Sequence, residues 1–165
     1  MPILDERSLE FLSHSPDQTE RLGVRLGELM KPGDLYCIAG DLGSGKTTFA
    51  KGIARGWGVL DRVTSPSFVL IQEYRRADHG RLYHFDAFRL DSPEQAIALG
   101  LLDLFGDSAP VMVEWPERLE GLLPAERLWV SLHWMDDFRR NLHFEARGPR
   151  YERLLRQFRK AAFGG

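Results

Sequence analysis

The chain has 165 residues, 22 basic and 24 acidic side chains and a formal charge of −2, which suits one domain over residues 1–165 with a proper core. A field that weak makes no case for nucleic acid, and the lone cysteine, Cys37, rules out an internal disulfide or thiolate metal cluster. The charged opening Met1-Pro2-Ile3-Leu4-Asp5-Glu6-Arg7 lacks the apolar core of a signal peptide and no apolar run is long enough to cross a bilayer, so a cytoplasmic protein with no membrane partner is expected.

Ser8 to Ser13 alternates loosely and predicts a short strand. Ser15-Pro16-Asp17-Gln18 supplies an N-cap, a proline at the first helical position and a capping-box partner. Leu22, Leu26, Leu29 and Met30 then fall on one face of a helix that ends near Pro32-Gly33. Leu35-Tyr36-Cys37-Ile38-Ala39 is an apolar strand, with Cys37 read as a small buried hydrophobe. It enters Gly40-Asp41-Leu42-Gly43-Ser44-Gly45-Lys46-Thr47-Thr48, the spacing G-x-x-x-x-G-K-[ST] of a P-loop.

That spacing has a physical reason. Glycines let successive backbone N–H groups converge on one anion. The helix that follows adds its unpaired N–H groups and the positive end of its dipole. Lys46 can then reach the β- and γ-phosphates of ATP, and the Thr47 hydroxyl can ligate Mg²⁺. The helix is expected from about Lys46 to Arg55, with Phe49, Ile53 and Ala54 inward.

Val63-Thr64-Ser65-Pro66-Ser67-Phe68 predicts a loop, because Pro66 and its hydroxyl-bearing neighbours disfavour a helix. A hydroxyl of Thr64, Ser65 or Ser67 there can report whether ATP is intact, and a plain turn explains the same residues. Val69–Tyr74 and Arg81–Asp86 predict an antiparallel hairpin turning at Asp78-His79-Gly80. Asp91-Ser92-Pro93 caps a short helix fading at Gly100, and Ala109–Glu114 is an apolar strand ending in an acid. Leu128–Trp134 and Leu142–Ala146 are further strands joined through Met135-Asp136-Asp137. Pro149–Ala162 is a helix with Tyr151, Leu154, Leu155 and Phe158 on one side. A P-loop core combined with a hairpin predicts an α/β fold of P-loop NTPase type: a three-layer sandwich whose mixed, mostly parallel sheet has helices on both faces.

Two acids complete the expected site. Glu114 closes a core strand whose carboxyl end opens onto the binding crevice, where it can hold Mg²⁺. Asp86 ends another strand and can polarise the attacking water or bind Mg²⁺ through a second water, or serve only as a turn aspartate. For Trp115, core packing, stacking on a base and facing a partner all stay open, and His84 is read as structural.

At this point the residues resemble a family. Gly40–Phe49, Ser65-Pro66-Ser67-Phe68, Tyr83–Leu90, Leu99-Gly100-Leu101 and Glu114-Trp115-Pro116-Glu117-Arg118-Leu119 occur in the order seen in the TsaE family, over roughly residues 8 to 135. Ser67 stands where that family usually has threonine, and Ala87-Phe88 where leucine-tyrosine is common. The resemblance implies a Mg²⁺-dependent ATPase required for tRNA threonylcarbamoyladenosine synthesis. It would act with the partners TsaD and TsaB, with any tRNA contact indirect. It implies catalytic roles for Lys46, Asp86 and Glu114, and metal ligation by Thr47 and Glu114. It also implies nucleotide contacts from Asp41 through Thr48, Ser67 and Trp115. Two alternatives stand beside it. One is a small-molecule kinase, for which Arg75, Arg76, Arg89 or the Arg150, Arg153, Arg156, Arg159 series would have to close over phosphates. That series reads instead as a solvated or partner-facing stripe. The other is a nucleotide-gated binding module with little turnover.

Overall fold

A computed structural model describes residues 7–63, 71–106 and 108–163. In chain order its elements are β1 (Ser8–Ser13), α1 (Pro16–Glu28), β2 (Leu35–Gly40), α2 (Lys46–Trp57), β3 (Ile71–Arg75), β4 (Arg81–Asp86), α3 (Pro93–Ala98) and α4 (Leu101–Leu104). They continue with β5 (Val111–Glu114), a 3₁₀ turn (Pro116–Leu119), β6 (Arg127–Trp134), β7 (Arg140–Arg147) and α5 (Pro149–Phe163). Residues 64–70, which hold the expected switch loop with Ser67 and Phe68, lie outside the described residues.

The strands form one seven-stranded sheet in the order β1-β7-β6-β2-β5-β4-β3. β2 pairs in parallel with both β5 and β6, and β4 pairs in parallel with β5. The antiparallel pairs are β1/β7, β6/β7 and β3/β4. So β1, β6, β2, β5 and β4 run one way and only β7 and β3 oppose them, the mixed, mostly parallel sheet expected. β2 is buried along its length except at Gly40, which is why its sequence reads as a continuous apolar run rather than an alternation.

Helices cover both faces. On one, α1, α2 and α5 pack Leu22, Leu26, Phe49, Ile53, Leu154 and Phe158 against Ile38, Val130, Leu142 and Phe144. On the other, α3, α4 and the 3₁₀ turn lay Ala96, Leu101 and Leu119 over Cys37, Phe85, Val111 and Val113. Cys37 is fully buried, and burial pushes its thiol up to about 12.

The local rules that predicted the elements are visible at their ends. The Ser15 hydroxyl accepts from the Gln18 N–H at 3.1 Å, while the Gln18 amide oxygen reaches back to the His14 N–H at 2.7 Å. α1 and α2 approach backbone to backbone through Gly23 and Gly27 on one helix and Gly52 and Gly56 on the other. A Cβ at Gly52 would overlap the Glu20 carbonyl oxygen and stand 3.0 Å from Gly23 Cα. α5 is tied to the start of β2. Arg150 grips the buried Asp34 in a bidentate pair (Nη2–Oδ2 2.7 Å, Nε–Oδ1 3.0 Å), and the Tyr151 hydroxyl accepts from the Leu35 N–H at 2.8 Å. The expectation of a solvated or partner-facing arginine stripe is therefore wrong for Arg150. Its guanidinium turns inward because a buried carboxylate is available to neutralise it.

Candidate nucleotide-binding site

The site begins where β2 runs out. Gly40 and Gly43 take positive φ values of 146° and 77°, and Gly45, the N-cap of α2, takes 100°. At Gly40 no side chain would fit, since a Cβ would sit 2.5 Å from the Leu132 carbonyl oxygen and 2.6 Å from Ser44 Oγ. At Gly45 no side chain caps the helix, so the first N–H groups of α2 are left for another acceptor. The buried Ser44 hydroxyl likewise has no hydrogen-bond partner among the described residues.

Lys46 folds over this loop. Its ammonium donates to the carbonyls of Gly40 and Asp41, the latter at 2.8 Å. It also lies 4.4 Å from the centroid of the Trp115 ring. Burial pulls its pKa down, partly countered by Glu114, Glu117 and Asp86. Trp115 reaches that position because its backbone is left-handed (φ 58°, ψ 48°) at the end of β5. The turn takes the ring out of line with the strand and packs it on Phe88, centroids 4.9 Å apart.

The two acids stand side by side. Asp86 and Glu114 are register partners at the carboxyl ends of the parallel strands β4 and β5, and Glu114 is in register with Ile38 of the P-loop strand. Both are buried. Burial raises the Asp86 pKa, Glu114 adds to the rise, and a hydrogen bond from the Phe88 N–H to Oδ1 (3.0 Å) opposes it. Glu114 Oε2 lies 2.6 Å from His84 Nε2, so the histidine expected to be only structural touches the carboxylate at the centre of the site.

Together these groups line a cavity of about 360 Å³, shared by Gly43, Lys46, Thr47, Asp86, Glu114 and Trp115. Leu42, Gly45 and Thr48 also line it. Asp41 is exposed at the loop tip, and its carbonyl, not its carboxylate, meets Lys46. Every site residue expected from the sequence is thus in or beside one crevice, except Ser67, which is not among those described.

Two residues lining the crevice were not foreseen as site residues, Phe88, which packs on Trp115, and Arg140. Arg140, at the start of β7, donates from Nη2 to the Gly43 carbonyl at 3.1 Å and lines the same cavity. Its Nε is buried without a partner among the described residues. Only the pairing of β6 with β2 brings it there, and that pairing joins segments nearly a hundred residues apart. No local pattern could have announced it.

A glycine-rich strand-to-helix loop, its lysine, and two carboxylates on adjacent parallel strands define a P-loop NTPase-type fold. Comparison with known proteins narrows the class. The family model described as "Threonylcarbamoyl adenosine biosynthesis protein TsaE" matches residues 13–142. The chain belongs to the TsaE family. It is 36% identical to the tRNA threonylcarbamoyladenosine biosynthesis protein TsaE of Bacillus subtilis (strain 168), over 92% of this chain and 94% of that protein. With the protein of the same name from Haemophilus influenzae it shares 39% identity, over 72% of this chain and 78% of the relative. The crystal structure of Bacillus subtilis YdiB superposes with a TM-score of 0.80 at 35% identity, covering 94% of this chain and 96% of that one. No helix among the described residues is long and apolar enough to cross a membrane.

Proposed function

We propose that this chain is a cytoplasmic Mg²⁺-dependent ATPase, built as one domain over residues 1–165, that serves tRNA threonylcarbamoyladenosine biosynthesis by acting on a complex of TsaD and TsaB. The observation that carries this is the pairing of Asp86 with Glu114 opposite the P-loop: two buried acids in register, both at strand ends facing the cation of Lys46.

The chain's own groups divide the work. The N–H groups of residues 43–48 hold the phosphates, with Lys46 leaving its carbonyl partners for the more highly charged β- and γ-oxygens. Asp86, held at Oδ1 by the Phe88 N–H, orients water toward the γ-phosphorus. Trp115 shields the lysine from solvent, and Ser67 is assigned a hydroxyl contact by family likeness alone. The donor set suits Mg²⁺. That ion keeps several waters and takes one or two protein oxygens plus phosphates, and Thr47 with Glu114 offers just such a pair. No three-residue His/Cys/Asp/Glu cage exists among the described residues. Held by Thr47 and Glu114, Mg²⁺ would neutralise the charge of the phosphates.

The test is steady-state phosphate release from ATP with and without purified TsaD and TsaB. Release in Mg²⁺ that needs no added acceptor and rises with the partners is the expected result. Transfer to a small acceptor would indicate a kinase, and binding without release a gated module.

A further inference from the structure

Glu114 is 2% exposed and His84 0%, yet neither is left to apolar surroundings. Glu114 Oε2 is 2.6 Å from His84 Nε2, and His84 Nδ1 is 3.0 Å from the Tyr74 hydroxyl. That hydroxyl in turn meets the Gln72 side-chain amide. The half-buried Gln72 and the buried Tyr74, His84 and Glu114, on the neighbouring strands β3, β4 and β5, therefore form one chain that ends at the site.

Donor arithmetic fixes the sense of the final link. A carboxylate can only accept, so Nε2 carries the proton. If Tyr74 donates to the Gln72 oxygen, Nδ1 must carry a second ring proton and donate it to Tyr74. If the amide is turned to donate, Tyr74 donates to Nδ1. In both arrangements Nε2–H points at Glu114 Oε2. With that oxygen held, the other carboxylate oxygen is the one free for the cavity that Glu114 lines.

We infer that His84, braced by Tyr74, is a positioning residue that locks the Glu114 carboxylate in the orientation from which it engages Mg²⁺. An unbraced glutamate has three rotatable bonds and would sample orientations aimed away from the P-loop. A buried imidazole needs partners for its nitrogens in any role, and here the partner of Nε2 is the acid that lines the cavity. Side chains that orient a metal's ligands commonly cost 10–100-fold in metal affinity or activity when lost. This inference rests on the role proposed for Glu114, so the experiment separates the two.

A fluorescent ADP analogue is titrated into wild type, Glu114→Gln, His84→Phe, His84→Gln, Tyr74→Phe and the double variant His84→Phe/Glu114→Gln, each in Mg²⁺ and in EDTA. The readout is the factor by which Mg²⁺ tightens binding; circular dichroism checks the fold. His84→Phe is expected to cut that factor about tenfold, in line with other orienting groups. Tyr74→Phe, which removes one oxygen and keeps the ring, cuts it about two- to threefold by the same reasoning. His84→Gln keeps an N–H within reach of Oε2 and retains more of the factor than His84→Phe. In the Glu114→Gln background His84→Phe adds little, because a residue that acts through Glu114 has nothing left to position. A folded His84→Phe with the wild-type factor overturns the inference, and so does an effect additive with Glu114→Gln. If His84→Phe does not fold, Tyr74→Phe and His84→Gln decide, and unchanged factors in both overturn it. A Glu114→Gln protein with undiminished response to Mg²⁺ overturns the role proposed for Glu114 itself and the inference with it.

Discussion

Replacing Gly52 by alanine tests how the P-loop helix is seated. Two effects oppose each other. Alanine is the better helix former, worth about 1 kcal/mol over glycine in a helix interior. Against that, the new Cβ would overlap the Glu20 carbonyl oxygen and lie 3.0 Å from both the Glu20 carbonyl carbon and Gly23 Cα. All of these are backbone atoms and none can rotate aside. Overpacking of this kind costs about 1–3 kcal/mol when side chains can adjust, and rigid obstacles belong at the upper end. Parting the helices by even about 1 Å also forfeits a quarter to a half of the dispersion well of each contact that opens. Leu22, Leu26, Phe49 and Ile53 all belong to the layer that opens. The obstacles outweigh propensity, and the net is a loss of about 2–4 kcal/mol, or roughly 5–15 °C in Tm for a chain this long. Thermal and urea unfolding followed by circular dichroism measure it. Gly43→Ala is the contrast: nothing lies within 4 Å of its Cβ, so only the left-handed φ of 77° is penalised, at about 1–2 kcal/mol. A Gly52→Ala protein as stable as wild type, or more so, would refute the close-contact argument, since propensity alone predicts a gain.

Lys46→Ala should weaken nucleotide binding or hydrolysis at least tenfold with an unchanged circular dichroism spectrum; normal binding and normal phosphate release together would remove Lys46 from the site. Trp115→Ala is expected to reduce stimulation by TsaD and TsaB more than basal nucleotide binding, read as phosphate release at saturating ATP with and without the partners. A fast basal rate indifferent to the partners would count against partner dependence altogether. Cys37 should resist thiol-specific labelling in the native protein at pH 8 and react on unfolding. Its folded pKa of about 12 lies above the ordinary 9.0, so the unfolded chain loses the proton first. The associated stability is whole below about pH 9 and declines as pH rises toward 12, and Cys37→Ala should flatten that decline in urea-unfolding midpoints.

What the sequence revealed was local. The P-loop strand, its glycines, Lys46 and the capping box of α1 each depend on residues a few positions apart, and each stands where its spacing put it. Glu114 and Asp86 were legible as acids closing apolar strands, although their being register neighbours was not. What escaped was set by strand order. Arg140 meets Gly43 only because β6 inserts between β7 and β2, and His84 meets Glu114 only because β4 lies beside β5. The glycines of α1 were invisible for another reason. The Leu22, Leu26, Leu29 and Met30 stripe accounted for the buried face, and nothing in one helix says that its partner carries Gly52 and Gly56 to match. Arg150 was misassigned because its charge was weighed along the helix and not against Asp34, more than a hundred residues away.

The same strand order bears on how the molecule assembles. β2, which delivers the P-loop, is the middle strand of the sheet, and its two neighbours are residues 111–114 and 127–134. One edge of this apolar strand cannot be paired as observed until the chain has been synthesised through residue 114, and the other not until residue 134. Strand pairings this distant pay their loop-closure entropy before any contact repays it, which slows folding and prolongs exposure of open edges. On the ribosome the α1–α2 helix pair can therefore form early, while its phosphate loop waits for the C-terminal half of the chain to give it a floor.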